Sequence, residues 1–136
     1  MQEMPGSRIP DDRRYTDEHI WVMRDGSELV CGITDFAQDQ LGEVVYVGLP
    51  ALGSAFAAGE SFGTVESMKS TNELFMPVSG TVAGINTVLE ESPDLVNSEP
   101  YTGGWMLRVT PDNPGDLEHL DTLLTPPGYA ALLRQG

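Results

Sequence analysis

The chain has 136 residues, and its 7 basic and 21 acidic residues give a formal charge of −14. This length fits a single domain. The longest apolar runs, such as residues 44–47, are too short to cross a bilayer, and the negative charge argues against nucleic acid or an anionic membrane surface as a partner. A chain with this much negative charge is expected either to stay soluble at high salt concentration or to dock on basic surfaces of other proteins.

Two features bear on the compartment. Residues 1–5 lack the basic and apolar regions of a signal peptide. The single cysteine, Cys31, cannot form a disulfide within the chain. We therefore expect a reducing, cytoplasmic location.

The first third of the chain contains signals for a leader, strands and one short helix. Residues 1–14 are predicted to form an irregular leader, because two prolines and a glycine interrupt them and no period is visible. A single domain is predicted over 15–136. Strands are expected within 15–23, 27–34 and 43–47. Between the last two, Thr34 or Asp35 is suited to cap a short helix that Gly42 ends.

Short strands punctuated by glycine and proline follow, at 63–66, 72–76, 81–85 and 105–109. The segment between the first two of these is small and polar apart from Met68, as is typical of a hairpin tip. A short helix is expected at 92–96, and C-terminal helices are expected at 116–120 and 129–133, with Pro126 and Pro127 between them. This pattern predicts a mainly β fold, a sandwich or flattened barrel with peripheral helices.

Residues that commonly carry catalysis are not grouped in this sequence. His19 and His119 are a hundred positions apart, and one cysteine gives no Cys-x-x-Cys pair, so no metal site is expected. Cys31 lies in an apolar strand, where a buried and inert thiol is expected. Ser79 does not lie in a nucleophile elbow, and no phosphate-binding loop is present. The sequence therefore predicts a protein without an active site of its own.

The lysine content is the most informative feature. Lys69 is the only lysine, and the other six basic residues are arginines. It falls at the tip of the predicted hairpin, where an exposed amine is accessible to acylation. A protruding, modifiable side chain on a rigid body is what a carrier of a covalently attached group requires.

At this position the sequence resembles a known family. The run Val65-Glu66-Ser67-Met68-Lys69-Ser70 resembles the lipoylation site of glycine cleavage system H proteins. The resemblance covers about residues 15–133, and its further motifs occur in the family's order, at 15–22, 32–44, 77–82, 95–101 and 104–106.

The resemblance implies a fold, a cofactor and a role. The expected fold is a lipoyl-domain sandwich of two small antiparallel sheets (a barrel-sandwich hybrid), with a short helix after the second strand and C-terminal helices. Lipoic acid would be held covalently on Lys69, and the protein would be a non-enzymatic carrier that partner enzymes use as a substrate. The hairpin residues implied to support recognition are Glu66, Ser67, Met68, Ser70 and Glu73.

The implied partners act in sequence on the lipoyl arm. A lipoate ligase or lipoyl transferase attaches it. Glycine decarboxylase loads it with an aminomethyl group, aminomethyltransferase removes that group, and dihydrolipoamide dehydrogenase reoxidises the dithiol.

The sequence departs from the family at the cleft that shelters the loaded arm, where Glu18, Ile20 and Phe36 are the expected lining residues. The family motif His-Glu-Trp reads His19-Ile20-Trp21 here, and Ile20 cannot accept a hydrogen bond from an ammonium group. Glu18 is the neighbouring carboxylate that would compensate, and Glu73 would stand in for a family aspartate after the lysine.

These changes support an alternative cargo. H-like lipoate-binding proteins carry sulfur intermediates for a heterodisulfide-reductase-like sulfur oxidation complex, and such a cargo needs no ammonium shelter. Two other readings are a biotinyl carrier, disfavoured because Ser70 and not methionine follows the lysine, and an interaction domain that has kept only the fold.

Overall fold

The computed structural model describes residues 8–113, 115 and 123–135. Within these residues the chain forms nine strands, three α-helices and one 3₁₀ turn. In chain order they are β1 (Arg14–Tyr15), β2 (Ile20–Asp25), β3 (Glu28–Ile33), α1 (Asp35–Leu41), β4 (Val44–Gly48), β5 (Ala55–Phe56), β6 (Ser61–Ser67), β7 (Thr71–Phe75), β8 (Gly80–Ile85), the 3₁₀ turn (Thr87–Glu90), α2 (Leu95–Ser98), β9 (Leu107–Pro111) and α3 (Pro126–Gln135).

The strands form two antiparallel sheets. The larger sheet has the order β1-β2-β3-β9-β8-β5, and the smaller has the order β4-β6-β7. Apolar side chains from both sheets enter one buried core, which includes Val22 and Leu107 from the larger sheet and Val65 and Leu74 from the smaller. The predicted mainly β sandwich with added short helices is confirmed.

The single strand predicted within 15–23 is divided in two. β1 ends at Tyr15 and β2 begins at Ile20, because a tight turn separates them. The amide of His19 donates to the carbonyl of Thr16 (3.1 Å), and the Thr16 hydroxyl accepts from the amide of Ile20 (3.2 Å). His19 has φ 67°, a left-handed conformation that a continuous strand does not contain. This turn places Glu18 and His19 at the groove described below.

The short helix α1 begins and ends as its sequence predicts. The hydroxyl of Thr34 accepts a hydrogen bond from the amide of Ala37 (3.2 Å), so Thr34 is the N-cap. Gly42 follows the last turn with φ 80° and donates its amide to the carbonyl of Gln38 (3.0 Å). Of the two residues predicted as possible caps, Thr34 and Asp35, Thr34 is the N-cap in the structure.

The C-terminal region differs from the prediction in one respect. Pro126 and Pro127 do not precede the last helix but form the first turn of α3, where a residue without an amide hydrogen is tolerated. The helix predicted at 116–120 lies outside the described residues. Other boundaries move by a few residues, since α2 spans Leu95–Ser98 and β9 begins at Leu107.

The leader segment is irregular over residues 8–13, and Arg14 already belongs to β1. The Arg13 guanidinium lies 4.7 Å from the ring centroid of Trp21 and 5.3 Å from that of Tyr101. It also donates to the carbonyl of Tyr101 (3.0 Å). These contacts fasten the leader to a second buried aromatic cluster beside the main core.

Cys31 is fully buried in β3, and burial raises the pKa of its thiol to about 12. The described helices include none long and apolar enough to cross a bilayer.

Candidate functional site

The turn between β6 and β7 carries Lys69 at the end of the smaller sheet. The amide of Ser67 donates to the carbonyl of Ser70 (2.8 Å), which closes the turn. The Ser67 hydroxyl lies beneath it and accepts from the amides of Lys69 (3.3 Å) and Ser70 (3.2 Å). Ser67 is therefore 8% exposed, whereas Met68, Lys69 and Ser70 are all exposed. The backbone is held from inside and the lysine is left outside.

The tip is also fixed to its neighbouring segments. The amide of Met68 donates to the carbonyl of Glu43 (3.2 Å). The Asn97 side chain then joins three elements: it donates to the carbonyl of Gly42 (2.8 Å) and to the Gln38 side chain (2.9 Å), and it accepts from the amide of Val44 (2.9 Å). One asparagine thus ties α2 to the end of α1 and the start of β4.

The Lys69 side chain passes close to Gly42. A Cβ atom placed on Gly42 would lie 3.6 Å from the lysine Cε and 4.0 Å from Nζ. Gly42 also lines a recess of about 500 Å³ that contains the carboxylates of Asp39, Glu43 and Asp94. The lysine amine therefore lies in acidic surroundings.

A groove of about 650 Å³ begins at the hairpin and runs beside β7. One wall is β7, a strand at the edge of the smaller sheet, and the other wall is α1 with the turn at residues 18–19. At about 3.3 Å per strand residue, the step from Ser70 to Leu74 covers about 13 Å. The residues that line the groove are Glu18, His19, Ile33, Phe36, Ala37, Gln40, Leu41, Val65 and Ser70 to Phe75.

His19 connects this groove to the body of the fold. Its Nδ1 atom lies 2.8 Å from the hydroxyl of Tyr129 on α3, and that hydroxyl lies 2.7 Å from the hydroxyl of Thr34. The His19 ring also contacts Phe36, with ring centroids 5.0 Å apart. Burial lowers the pKa of His19, although the negative charges of Glu18 and Asp17 oppose this effect.

The structure brings most of the predicted site residues together. Glu18, Phe36, Ser70 and Glu73 line the groove. Glu66 lies on the outer face of the smaller sheet, where it pairs with Tyr46 on β4 and Thr71 on β7.

Ile20 differs from the expectation that it lines the cleft. It is 1% exposed and packs in the main core, and it is not among the groove's lining residues. The left-handed turn at His19 is the physical reason: β2 begins only after it, and Ile20 pairs with Ile33 with its side chain inward.

Sequence reasoning did not single out His19, Asn97 or Tyr129 as site residues. Asn97 occurs in a motif that carries the family resemblance, which is a usable signal. His19 and Tyr129 are 110 positions apart, and no local pattern links them.

Two further features concern metal ligands and a second groove. Among the described residues, no group of three or more histidine, cysteine or carboxylate side chains is placed to hold a metal ion. A second groove, of about 640 Å³, lies between the turn after β1, the loop before β6 and α3, and no residue of the hairpin tip lines it.

A small two-sheet β scaffold with an exposed lysine on a rigid hairpin defines the class of carrier domains that hold a group on a lysine side chain. The comparisons with known proteins narrow this class. The family model for the glycine cleavage H-protein matches residues 13–135. The chain therefore belongs to the glycine cleavage H-protein family, whose members are lipoyl carriers and generally not enzymes.

Individual proteins similar to this chain have the same family name. The glycine cleavage system H protein of Mycobacterium avium (strain 104) is 56% identical over 119 residues, 87% of this chain and 90% of the relative. That of Anaeromyxobacter sp. (strain K) is 54% identical over 112 residues, covering 82% of this chain and 88% of the relative. The crystal structure of a glycine cleavage system H protein from Mycobacterium marinum superposes with TM-score 0.79 at 37% identity, covering 90% of this chain and 97% of that one.

Proposed function

We propose that this chain holds a lipoyl group in amide linkage to Lys69 and shuttles an aminomethyl group between enzymes of glycine cleavage. The observation that carries the proposal is the placement of the chain's only lysine on a rigid, exposed tip at the mouth of a groove. When attached, the lipoyl group supplies the dithiol chemistry that the protein's own side chains lack.

The tip suits an attachment point because it is both ordered and accessible. The hydrogen bonds from Lys69 and Ser70 to the Ser67 hydroxyl hold the turn without using the lysine side chain. The amide of Met68 anchors the same turn to Glu43. Acylation therefore costs no structural contact that these bonds provide, and it changes the formal charge of the chain from −14 to −15.

The groove suits an arm that must be sheltered between transfers. Phe36 and Phe75, which are both partly exposed, offer apolar surface, and the exposed edge of β7 offers unpaired backbone groups. Glu18 and Glu73 place carboxylates on the lining. We infer that these two carboxylates receive the ammonium group of the cargo, the role that Ile20 cannot fill and for which Glu18 was the expected substitute.

This arrangement favours aminomethyl over a sulfur cargo. The sulfur alternative depended on the absence of a carboxylate at Ile20, yet Ile20 lies in the core and two other carboxylates line the groove. The relatives described above are all named glycine cleavage system H proteins. The proposed partners are accordingly glycine decarboxylase, aminomethyltransferase, dihydrolipoamide dehydrogenase and a lipoate ligase or lipoyl transferase, in the cytoplasm that a single cysteine predicts.

Attachment is tested by intact mass spectrometry after incubation with a bacterial lipoate ligase, lipoate and ATP. We expect one lipoyl adduct on the wild-type protein and none on Lys69→Arg, because a guanidinium is not acylated under these conditions. The lipoylated protein should then support glycine–bicarbonate exchange with glycine decarboxylase. A wild-type protein that stays unmodified, or a lipoylated protein that supports no exchange, would contradict the proposal.

The role of the groove carboxylates is tested on the aminomethyl-loaded protein. Solvent-accessible charge pairs contribute about 0.2–1 kcal/mol each, so Glu18→Gln combined with Glu73→Gln should speed hydrolysis of the loaded arm about two- to thirtyfold. Asp112→Asn, an exposed acid that does not line the groove, is the matched control and should leave the rate unchanged. Equal rates for the double variant and the control would remove Glu18 and Glu73 from this role.

A further inference from the structure

Exposed apolar side chains are concentrated beside the lysine tip. Five large apolar side chains are exposed in the part of the chain that the structure describes, and three of them, Val45 (45%), Tyr46 (54%) and Met68 (76%), lie on the tip or on the strand next to it. These three residues are named the tip patch. Single exposed apolar side chains are ordinary, but a cluster of them beside a reactive group indicates an interaction surface.

The backbone explains why two consecutive residues of β4 face solvent. The pairing of β4 with β6 shifts between Val44, opposite Ser67, and Tyr46, opposite Glu66. Such a bulge adds a residue to one strand and breaks the alternation of inward and outward side chains. Val44 is consequently buried, while Val45 and Tyr46 are both exposed.

The same strand is adjacent to the turn that holds the lysine. The carbonyl of Glu43, just before β4, accepts a hydrogen bond from the amide of Met68 at 3.2 Å. Met68 immediately precedes Lys69, so the tip patch and the lysine lie at one end of the smaller sheet. A protein that encloses the lysine amine must also meet Met68, while Tyr46, whose ring leans along β4 toward Gly48, forms the far side of the patch.

Apart from Lys69 itself, the charged residues around the tip patch are acidic. Between residues 25 and 107 the sequence contains 12 acidic residues, and Lys69 is the only lysine or arginine. Glu43 and Glu66 flank the patch, and the recess next to the Lys69 side chain contributes Asp39 and Asp94. A complementary partner surface therefore has an apolar recess surrounded by lysine or arginine side chains.

We propose that the tip patch is the docking surface for the enzyme that attaches lipoate to Lys69. This inference rests on the proposed function. Of the partners considered, only the attaching enzyme must react at Nζ itself, because the others act on the far end of the arm. In that reaction the unprotonated Nζ attacks the acyl carbon of a lipoyl-adenylate, a mixed anhydride that the enzyme makes from lipoate and ATP. The C–N bond forms, the C–O bond to the AMP leaving group breaks, and the amine releases a proton.

The test measures kcat/KM for lipoylation by a bacterial lipoate ligase, with adduct formation followed by intact mass. The test variant combines Val45→Thr, Tyr46→Thr and Met68→Gln, which remove apolar surface from exposed positions while placing β-branched residues, which favour strands, at both positions of β4. The control is Leu52→Gln, since Leu52 is 63% exposed and lies outside the tip patch. We expect the test variant to lose about tenfold or more in kcat/KM, as truncation of central interface residues does, and the control to match the wild-type protein.

A single substitution and the salt dependence of lipoylation test the same surface. Met68→Gln alone, on the turn and outside any strand, should also lower kcat/KM, and its effect cannot arise from a disturbed β4. Lower kcat/KM at higher salt concentration is expected for a basic partner surface. Equal kcat/KM for the test variant and the wild type overturns the tip patch as the ligase surface, and so does slower glycine–bicarbonate exchange with unchanged lipoylation. A wild-type protein that is not lipoylated at all overturns the carrier function as well.

Discussion

The hydroxyl of Tyr129 offers a sharp test of how α3 supports the groove. Tyr129 is fully buried, and its hydroxyl is hydrogen-bonded to His19 Nδ1 (2.8 Å) and to the Thr34 hydroxyl (2.7 Å). Its ring stacks on Tyr15 with centroids 4.7 Å apart and planes at 9°. Phenylalanine keeps that stacking, so Tyr129→Phe removes the two hydrogen bonds and little else.

The expected magnitude follows from these two bonds. A neutral hydrogen bond contributes about 0.5–1.5 kcal/mol to stability, and unsatisfied buried partners add to the loss. We therefore expect Tyr129→Phe to lower the free energy of unfolding by about 1–3 kcal/mol. Urea unfolding followed by circular dichroism would show this as a midpoint lower by about 1 M, with an unchanged slope.

The control uses a tyrosine without such contacts. Tyr46 is 54% exposed, so Tyr46→Phe should change the free energy of unfolding by less than about 0.5 kcal/mol. A double-mutant cycle that combines Tyr129→Phe with His19→Asn should give a coupling of about 0.5 kcal/mol or more. If Tyr129→Phe costs no more than the control, the hydrogen-bonded link from α3 through Tyr129 to the groove is refuted.

Two further predictions concern backbone conformation and pH. Gly42 has φ 80° and ψ −158°, a region open almost only to glycine, so Gly42→Ala should lower the free energy of unfolding by about 1–3 kcal/mol. Gly26→Asn, at φ 66° in the β2–β3 turn, should be tolerated, and equal losses at both sites would contradict this reasoning. Burial lowers the pKa of His19, so the unfolded chain binds this proton more readily and stability should fall as the pH drops below about 6.5. His19→Asn, which suits the left-handed backbone, should flatten that decline between pH 7.5 and 5.5 in unfolding titrations, and an equally steep decline would contradict the assignment to His19.

Local structure in this chain follows from short-range signals. Thr34 caps α1 and Gly42 ends it because both effects act within one helical turn. The turn around Lys69 was predictable for the same reason, since small polar residues between two β-rich runs favour a hairpin. The lone lysine and the ordered motifs around it also indicated the family, which the comparisons confirm.

Other features depend on residues far apart in the sequence. The groove exists because β7 and α1 come from different parts of the chain and face each other only after both sheets have packed. Tyr129 reaches His19 from the other end of the chain. No periodicity within either segment encodes such a contact.

Ile20 illustrates the difference between what the sequence predicts and what tertiary packing decides. Its sequence position showed that an apolar residue replaces a family glutamate, and this difference suggested another cargo. The structure places Ile20 in the core and presents Glu18 and Glu73 to the groove instead. Which side of a strand a residue faces depends on where the preceding turn ends, and here that is decided by the left-handed residue His19. The sequence alone determined the position of the lone lysine and the elements around it, whereas tertiary packing decided which side chains line the groove beside it, because those side chains meet only across two sheets and a helix.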